Sequence, residues 1–245
     1  MTGPLEGARW KIKRAWEHLA SVDAETAAFF NMRPYVLDTE PDGENRWRVF
    51  IRVRQEPPAH LAVGFADAVH SIRSALDYIA AALTTSKGER VAQWPIYDSP
   101  DVWDRFHKKH LNGIDGAYYA SIRARQPFSD PSKLGGLTVL RELDDADKHR
   151  MLQLAIPWPS QLQVEIPTGL SVVDNVSGPI YVENRTVVFW LTGTPAPNVP
   201  MEIKSVVGYR VSFGAPPQST NTVGLLDISY TVLEIIDCFE AMIRG

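Results

Sequence analysis

Three polar residues on one predicted helix could do chemistry together. His70, Arg73 and Asp77 lie three and then four residues apart in a segment that is otherwise largely apolar. Residues at these spacings fall along one narrow stripe of an α-helix. Arg73 could stabilise a developing negative charge and His70 could move a proton. The alternative is an ordinary i, i+4 ion pair between Arg73 and Asp77 that only stabilises the helix.

A second polar cluster ends another predicted helix, and its members are Asp144, Asp145, Asp147, Lys148, His149 and Arg150. Basic residues in a last helical turn complement the helix dipole, so a purely stabilising role is one interpretation. The other is that this helix end lies against the His70 stripe. In that case we expect residues 147–150 to contact the stripe formed by His70, Arg73 and Asp77.

Other kinds of site have weaker support in the sequence. His70, Asp77, Asp147 and His149 are ligand types that zinc or manganese accepts. His70 and Asp77 are two helical turns apart, about 10 Å, which is too far for one ion, so no metal or cofactor is predicted. His107 and His110 flank two lysines and are expected to be solvated. The chain has no Gly-rich phosphate loop, no Gly-x-Ser-x-Gly elbow and no His-Glu-x-x-His motif.

Apolar periodicity predicts the helices that would position these residues. Helical spacing occurs in residues 4–32, 57–85 and 222–244. Ser99 and Asp130 each precede a proline, which predicts a helix start at both places, and the second helix should run towards residue 150. Each helix has an apolar stripe that needs a partner, so we expect the helices containing Trp16, Arg73, Leu140 and Ile235 to form one bundle.

The β-structure is predicted in two regions. Residues 35–39 and 46–54 flank Pro41-Asp42-Gly43 and should form a β-hairpin. Strands are expected at 162–166, 180–182, 186–191 and 203–213. The fold class is therefore α+β, a helical bundle with a β-hairpin insertion and an appended antiparallel β-sheet. We predict a single domain, 1–245, with a helical part, 1–150 plus 218–245, and a β subdomain, 151–214.

Composition limits the partners and the compartment. The chain has 245 residues, 44% hydrophobic and 22% charged, with a net charge of -4, so no general attraction to phosphates or anionic lipid is expected. Cys238 is the only cysteine, which excludes an internal disulfide. The charged residues among the first 19 exclude a signal-peptide core, and no stretch is apolar enough for a membrane span. These features predict a cytoplasmic protein without a membrane partner.

Two segments resemble a group of uncharacterised actinobacterial and phage proteins. They are DAVHSIRSALDY, from residue 67, and DDADKHR, from residue 144. In that group the first motif has an Arg, four residues and a His. Arg-x4-His on a bundle helix is in turn similar to the signature of HEPN-type ribonucleases and nucleotide-binding domains. In this chain the matching positions are Arg73 and Tyr78, so the Arg is retained and the His is not.

The resemblance implies a metal-independent site for RNA or nucleotide, in a homodimer whose composite site uses residues of both subunits. Tyrosine, with an ordinary pKa near 10, is a poor base at neutral pH. His70 or His149 would have to replace the missing histidine, or the activity is lost. The predicted site residues are His70, Arg73, Asp77, Tyr78, Lys148 and His149.

Two hypotheses follow. The chain is a HEPN-like ribonuclease or its degenerate nucleotide- or RNA-binding relative, or it is a non-enzymatic interaction or structural protein of bacterial or phage origin. An open cleft at Arg73 would favour the first hypothesis, and a closed, saturated network would favour the second.

Overall fold

A computed structural model describes residues 3–85, 92–149, 154–155, 161–175, 185–195, 204–208, 212–215 and 218–245. Only the backbone is described for residues 149, 154–155, 161–164, 175, 204–208, 212, 214–215 and 218–219. Helices and antiparallel strands are both present, so the α+β class predicted from the sequence is confirmed.

The helices are α1 (Glu6–Asn31), α2 (His60–Ala82), α3 (Pro100–His110), α4 (Tyr119–Arg123), α5 (Pro131–Leu134), α6 (Gly136–His149) and α7 (Thr222–Arg244), with a 3-10 turn at Gly116–Tyr118. The predicted caps are present, since the side chains of Ser99 and Asp130 accept hydrogen bonds from the amides of Asp101 and Lys133. The helix predicted after Pro131 is interrupted at Gly135. Glycine is a poor helix former, and two glycines stand at this point.

The strands are β1 (Tyr35–Pro41), β2 (Arg46–Val53), β3 (Leu154–Ala155), β4 (Gln161–Glu165), β5 (Leu170–Asn175), β6 (Val187–Gly193), β7 (Lys204–Gly208), β8 (Ser212–Ala215) and β9 (Gln218–Thr220). The hairpin β1–β2 does not stand alone as an insertion, because β2 pairs with β6 in a four-stranded sheet of order β1-β2-β6-β5. β4 pairs with β7, and β8 pairs with β9. The strand predicted at 180–182 lies outside the described residues.

The chain divides into two compact units. The helical unit comprises Met1–Asp23, Ala62–Gln153 and Phe213–Gly245, and the sheet unit comprises Ala24–Leu61 and Leu154–Ser212. The predicted boundary near residue 151, between the helical part and the β part, is close to the limit of the helical unit at Gln153. The hairpin β1–β2 was predicted to lie in the helical part, but it belongs to the sheet unit together with the later strands. Whether the chain behaves as a single domain stays a prediction.

In the helical unit, α1 lies between α2 and α7. Tyr78 of α2 packs on Gly7, and Val22 packs on Gly64, so α1 and α2 are antiparallel. Both glycines allow close approach, because a Cβ at Gly7 would lie 2.7 Å from the Tyr78 ring.

Contacts with α7 fix the other side of α1. Arg9 binds Glu240 near one end, and the Thr222 hydroxyl donates to Asp23 near the other, so these two helices are antiparallel as well. The indole Nε1 of Trp16 donates to the buried Ser229 hydroxyl at 2.7 Å between them. The stripe of α1 that faces the core consists of Leu5, Ala8, Ile12, Ala15, Leu19 and Val22.

The sheet unit has an apolar core of its own, formed by Phe29, Tyr35, Val49, Ile51, Val188, Phe189 and Leu191. Alternation along β1 and β2 directs charged side chains the other way, where Arg48 and Arg185 pair with Glu40 and Arg52 pairs with Asp38. Two of the three arginines of β2, Arg48 and Arg52, are thus paired with carboxylates of β1. None of the predicted site residues lies in this unit.

Candidate functional site

Arg73 and Asp77 form a closed polar ring with the backbone of Trp94. Nη1 of Arg73 donates to Oδ1 of Asp77 at 2.8 Å, and Nη2 donates to the Trp94 carbonyl at 2.8 Å. The Trp94 amide in turn donates to the same Asp77 oxygen at 2.9 Å. The Arg73 side chain is 16% exposed. The ion pair considered as an alternative from the sequence is therefore present, and it also holds the chain ahead of α3.

The ring has a clear structural role. Trp94 is fully buried and meets Phe239 of α7 edge-on, with 5.4 Å between ring centroids. The extended segment that carries Trp94 has polar backbone groups that need partners when they leave water. Arg73 and Asp77 supply one donor and one acceptor to this backbone, and each satisfies the other's charge. Their types and spacing on α2 are thereby explained without a ligand.

His70 is held by a carboxylate from α6. Its Nδ1 lies 3.2 Å from Oδ1 of Asp144, and Nζ of Lys148 lies 2.6 Å from Oδ2 of the same residue. The Asp144 side chain is 4% exposed, whereas that of His70 is 64% exposed. The two polar clusters thus meet through Asp144. This link lies one helical turn before the 147–150 segment in which contact was predicted.

The orientation of His70 would suit proton transfer. Because a carboxylate accepts at Nδ1, that nitrogen carries the proton, and Nε2 is left as the basic atom. The surroundings are acidic, however. Burial raises the pKa of Asp147, and the nearby carboxylates of Asp144 and Asp67 raise it further. A site lined in this way repels a phosphodiester more than it attracts one.

Tyr78 lies apart from the Arg73 ring. Its side chain is 48% exposed, packs on Gly7 and has Nζ of Lys11 5.8 Å from its ring centroid. Five residues of α-helix separate two side chains by about 140° around the axis, so Arg73 and Tyr78 point to different sides of α2. No hydrogen bond joins the two within the described residues. The side chain of His149 and all of Arg150 lie outside the described residues.

His107 and His110 were expected to be solvated, but both are half-buried. The ring of His110 contacts Tyr97 with 6.1 Å between centroids. Burial lowers the pKa of His110; Lys109 and Arg73 lower it further, while Asp77 raises it. The pKa of His110 therefore depends in part on the charges of Arg73 and Asp77.

A signal for this placement exists in the sequence. Trp103, His107 and His110 are spaced four and three residues apart, which is one face of α3. The rings of Trp103 and His107 stack at 4.9 Å between centroids, and His107 Nδ1 donates to the Trp103 carbonyl. The tryptophan on that face indicates that the two histidines are its neighbours and are partly covered rather than solvated.

Across the part of the chain that the structure describes, no group of three or more His, Cys, Asp or Glu side chains is arranged to hold a metal ion. No described helix is both long and apolar enough to cross a membrane.

Comparison with protein-family models, with curated proteins and with solved structures finds no match for the chain. The resemblance to HEPN-type proteins rests on the quoted motifs alone.

Proposed function

We propose that this chain is a non-enzymatic interaction protein, built on a degenerate HEPN-like helical bundle in which the nuclease site is closed. The observation that carries the proposal is the ring of Arg73, Asp77 and the Trp94 backbone. A ribonuclease needs a cation free to face the charge that develops on phosphorus. Both terminal nitrogens of Arg73 are instead engaged by partners within the chain.

Opening this ring for a substrate would be costly. Two hydrogen bonds from a charged group would break, each worth about 1.5–3 kcal/mol, and a backbone carbonyl would lose its partner. Tyr78 adds to the case, because a phenol is in general a poor base at neutral pH and this side chain lies on another side of α2. The contacts of Arg73 are therefore better explained by a fixed structural element than by a binding pocket.

One observation favours the enzymatic alternative, a weak ribonuclease based on the oriented imidazole of His70. Asp144 fixes its tautomer as a general base requires. Lys148 offers a cation nearby, but it is already bound to Asp144. The acidic surroundings disfavour this alternative, and it can be tested in the same assay.

The test is cleavage of a fluorophore-labelled single-stranded RNA in the presence of EDTA. We expect no cleavage above buffer by the natural protein or by Tyr78→His, because Arg73 is not available in either. Arg105→Ala is the matched control for loss of an arginine, since Arg105 is exposed on α3 and has no ion pair among the described residues.

Cleavage that disappears in Arg73→Ala while that variant stays folded would overturn the proposal. Cleavage that disappears in His70→Ala and persists in Arg73→Ala would establish the His70 alternative. RNA that binds without being cleaved, with an affinity that Arg73→Ala abolishes, would assign the chain to the RNA-binding form of the family instead.

A further inference from the structure

One side of α3 combines exposed apolar side chains with cations. Val102 is 37% exposed and Phe106 is 48% exposed. Arg105 and Lys109 are exposed as well. The four residues follow one another at spacings of three and four, so their side chains are neighbours on the helix surface. We call these four residues the α3 patch.

The cations of the α3 patch differ from those of the other long helices. Every lysine and arginine of α1, α2, α6 and α7 has a carboxylate or an aromatic ring as a partner, and these are Arg9, Lys11, Lys13, Arg14, Arg73, Arg141, Lys148 and Arg244. Within the described part of the chain, Arg105 and Lys109 have no such partner. Asp101 lies one turn before Arg105, but it forms no ion pair with it there. These two charges are therefore available to a molecule outside the chain.

The stability of α3 alone does not account for the patch. Basic residues in the last turn of a helix favour its dipole, which explains Lys109 and its neighbour Lys108. It does not explain Arg105, which lies before the last turn, or the exposed ring of Phe106. A single exposed apolar residue is ordinary, but aromatic and arginine side chains that lie together have the composition of a protein interface.

The inner side of α3 holds the patch in place before any partner arrives. Trp103 is buried, and its ring stacks on His107 at 4.9 Å and meets Tyr97 edge-on at 6.4 Å, both between centroids. The Ser99 side chain caps the start of the helix. A surface that is already ordered loses little entropy when it binds, which favours association.

We infer that the α3 patch binds a short acidic segment of another protein. An apolar side chain of that segment packs on Phe106 and Val102, and its carboxylates pair with Arg105 and Lys109. The patch covers seven residues of helix, about 10 Å, so it contacts only a few residues of the partner. The two unpaired cations determine the sign of the partner, because complementary charge selects between partners of similar shape.

An extended polyanion fits the patch less well than a short segment. A nucleic acid or an anionic membrane presents many negative charges over a wide area, and the net charge of the chain is -4. Tight binding of a phosphate backbone comes from many cations, whereas the patch has two and is bordered by Asp101. A short acidic segment meets only the local charges of the patch.

This inference rests on the proposed function in one respect, that the chain binds a protein, and it adds the surface and the chemistry of the partner. The two can fail separately. The cleavage assay tests Arg73 on α2 without any peptide, and the experiment below tests α3 without altering Arg73.

The experiment selects short random peptides displayed on phage against the natural full-length chain, with removal of those that also bind Phe106→Ser. We expect the selected peptides to share an excess of Asp and Glu around a large apolar residue. Their affinity is then measured by fluorescence anisotropy with labelled synthetic peptides. It should fall as the salt concentration rises, because Arg105 and Lys109 are exposed.

Variants on two sides of α3 separate the patch from the rest of the helix. Phe106→Ser and Lys109→Glu should each weaken peptide binding by about tenfold or more. Lys108→Glu is the matched control for charge, since Lys108 is also exposed but lies about 100° around the helix from Lys109. Tyr230→Ser is the matched control for an exposed ring, because Tyr230 is 51% exposed on α7. Both controls should leave the affinity nearly unchanged.

A charge exchange tests the direct contact. Each acidic residue of the best peptide is changed in turn to Lys, and at least one of these peptides should bind Lys109→Glu more tightly than the parent peptide does. A variant that had simply misfolded could not be rescued in this way.

The inference fails if no acidic peptide is selected, if Phe106→Ser or Lys109→Glu binds the peptides as well as the natural chain does, or if Lys108→Glu weakens binding as much as Lys109→Glu. It also fails if no exchanged peptide restores binding. Binding of a labelled single-stranded RNA or of phosphatidylserine vesicles that Phe106→Ser abolishes, with no peptide selected, would overturn it in favour of an extended polyanion.

Discussion

Under the proposed function, Arg73 is a structural cation rather than a binding group. Its position on a polar stripe of α2 is compatible with either role, and only its partners decide between them. Those partners are Asp77, whose side chain is 34% exposed, and the carbonyl of the buried Trp94. A guanidinium in such a place stabilises the fold because its removal leaves an unpaired carboxylate and an unpaired carbonyl.

Arg73→Ala should therefore lower the free energy of unfolding by about 1.5–3 kcal/mol, the range for hydrogen bonds to a charged group, because the pair is only partly buried. Urea denaturation followed by circular dichroism measures this. Arg105→Ala, on the exposed side of α3, should change stability by less than about 0.5 kcal/mol. Equal effects of the two substitutions would mean that the ring does not hold Trp94 in place.

Asp147 provides a second test at the residue scale. Its pKa is raised, first by burial and then by Asp144 and Asp67. A carboxyl group whose pKa is higher in the folded state binds its proton more tightly there, so it favours folding below its unfolded pKa. That contribution is lost as the pH rises through the folded pKa.

The free energy of unfolding of the natural chain should thus decline between about pH 4 and the folded pKa of Asp147. Asp147→Asn should flatten this part of the profile and leave the variant at least as stable at pH 7. Asp145→Asn, a neighbouring exposed carboxylate, serves as the control and should keep the decline. A decline of unchanged size in Asp147→Asn would assign it to another group.

At the scale of elements, α1 is joined to α7 by ionic contacts at one end. Arg9 donates to Glu240 through both Nε and Nη2, at 3.1 and 2.5 Å, and Arg244 also contacts Glu240. The hydrogen bond from Arg9 is the largest cause that lowers the pKa of Glu240. A lowered carboxyl pKa stabilises the fold above the unfolded pKa, and this stability is lost as the pH falls through the folded value.

Glu240→Gln should destabilise the chain by about 1 kcal/mol at pH 7. This is below the range of about 1.5–3 kcal/mol for a hydrogen bond to a charged group, because the Arg9 side chain is 40% exposed and solvent screens the pair. The difference from the natural chain should shrink as the pH falls from the ordinary carboxyl pKa, about 4.3, through the lowered folded pKa of Glu240. Glu234→Gln removes an exposed pair with Lys133 and should have little effect at either pH. A loss that is independent of pH would indicate a packing defect instead.

Some elements of the fold can be predicted from the sequence, and others cannot. α2, α7 and the caps at Ser99 and Asp130 follow from local rules of periodicity and capping, and they are present. The pairing of β2 with β6 joins residues far apart in the chain, and no local pattern encodes it. The same holds for the site, because the stripe on α2 was visible but the partners that close it, above all Trp94, were not.

At the scale of the whole molecule, α1 supplies residues to both compact units. It runs without a break over Glu6–Asn31, while the helical unit ends at Asp23 and the sheet unit begins at Ala24. The two units therefore share one helix, and melting either of them removes support from part of it. A shared helix is one reason to expect a single cooperative unfolding transition, as predicted for a single domain.

Calorimetry can decide whether the units unfold together. We expect one transition, with calorimetric and van't Hoff enthalpies that agree. Ala24→Pro should break α1 at the boundary, since proline within a helix removes a hydrogen bond and clashes with the preceding turn, at a cost of about 3 kcal/mol. If the shared helix couples the units, this variant should show two transitions.

Ala20→Pro has a similar backbone cost but lies inside the helical unit, so it should lower the Tm while the transition stays single. Two transitions in the natural chain would instead show two domains joined by α1, and a single one in Ala24→Pro would place the coupling elsewhere than in this helix.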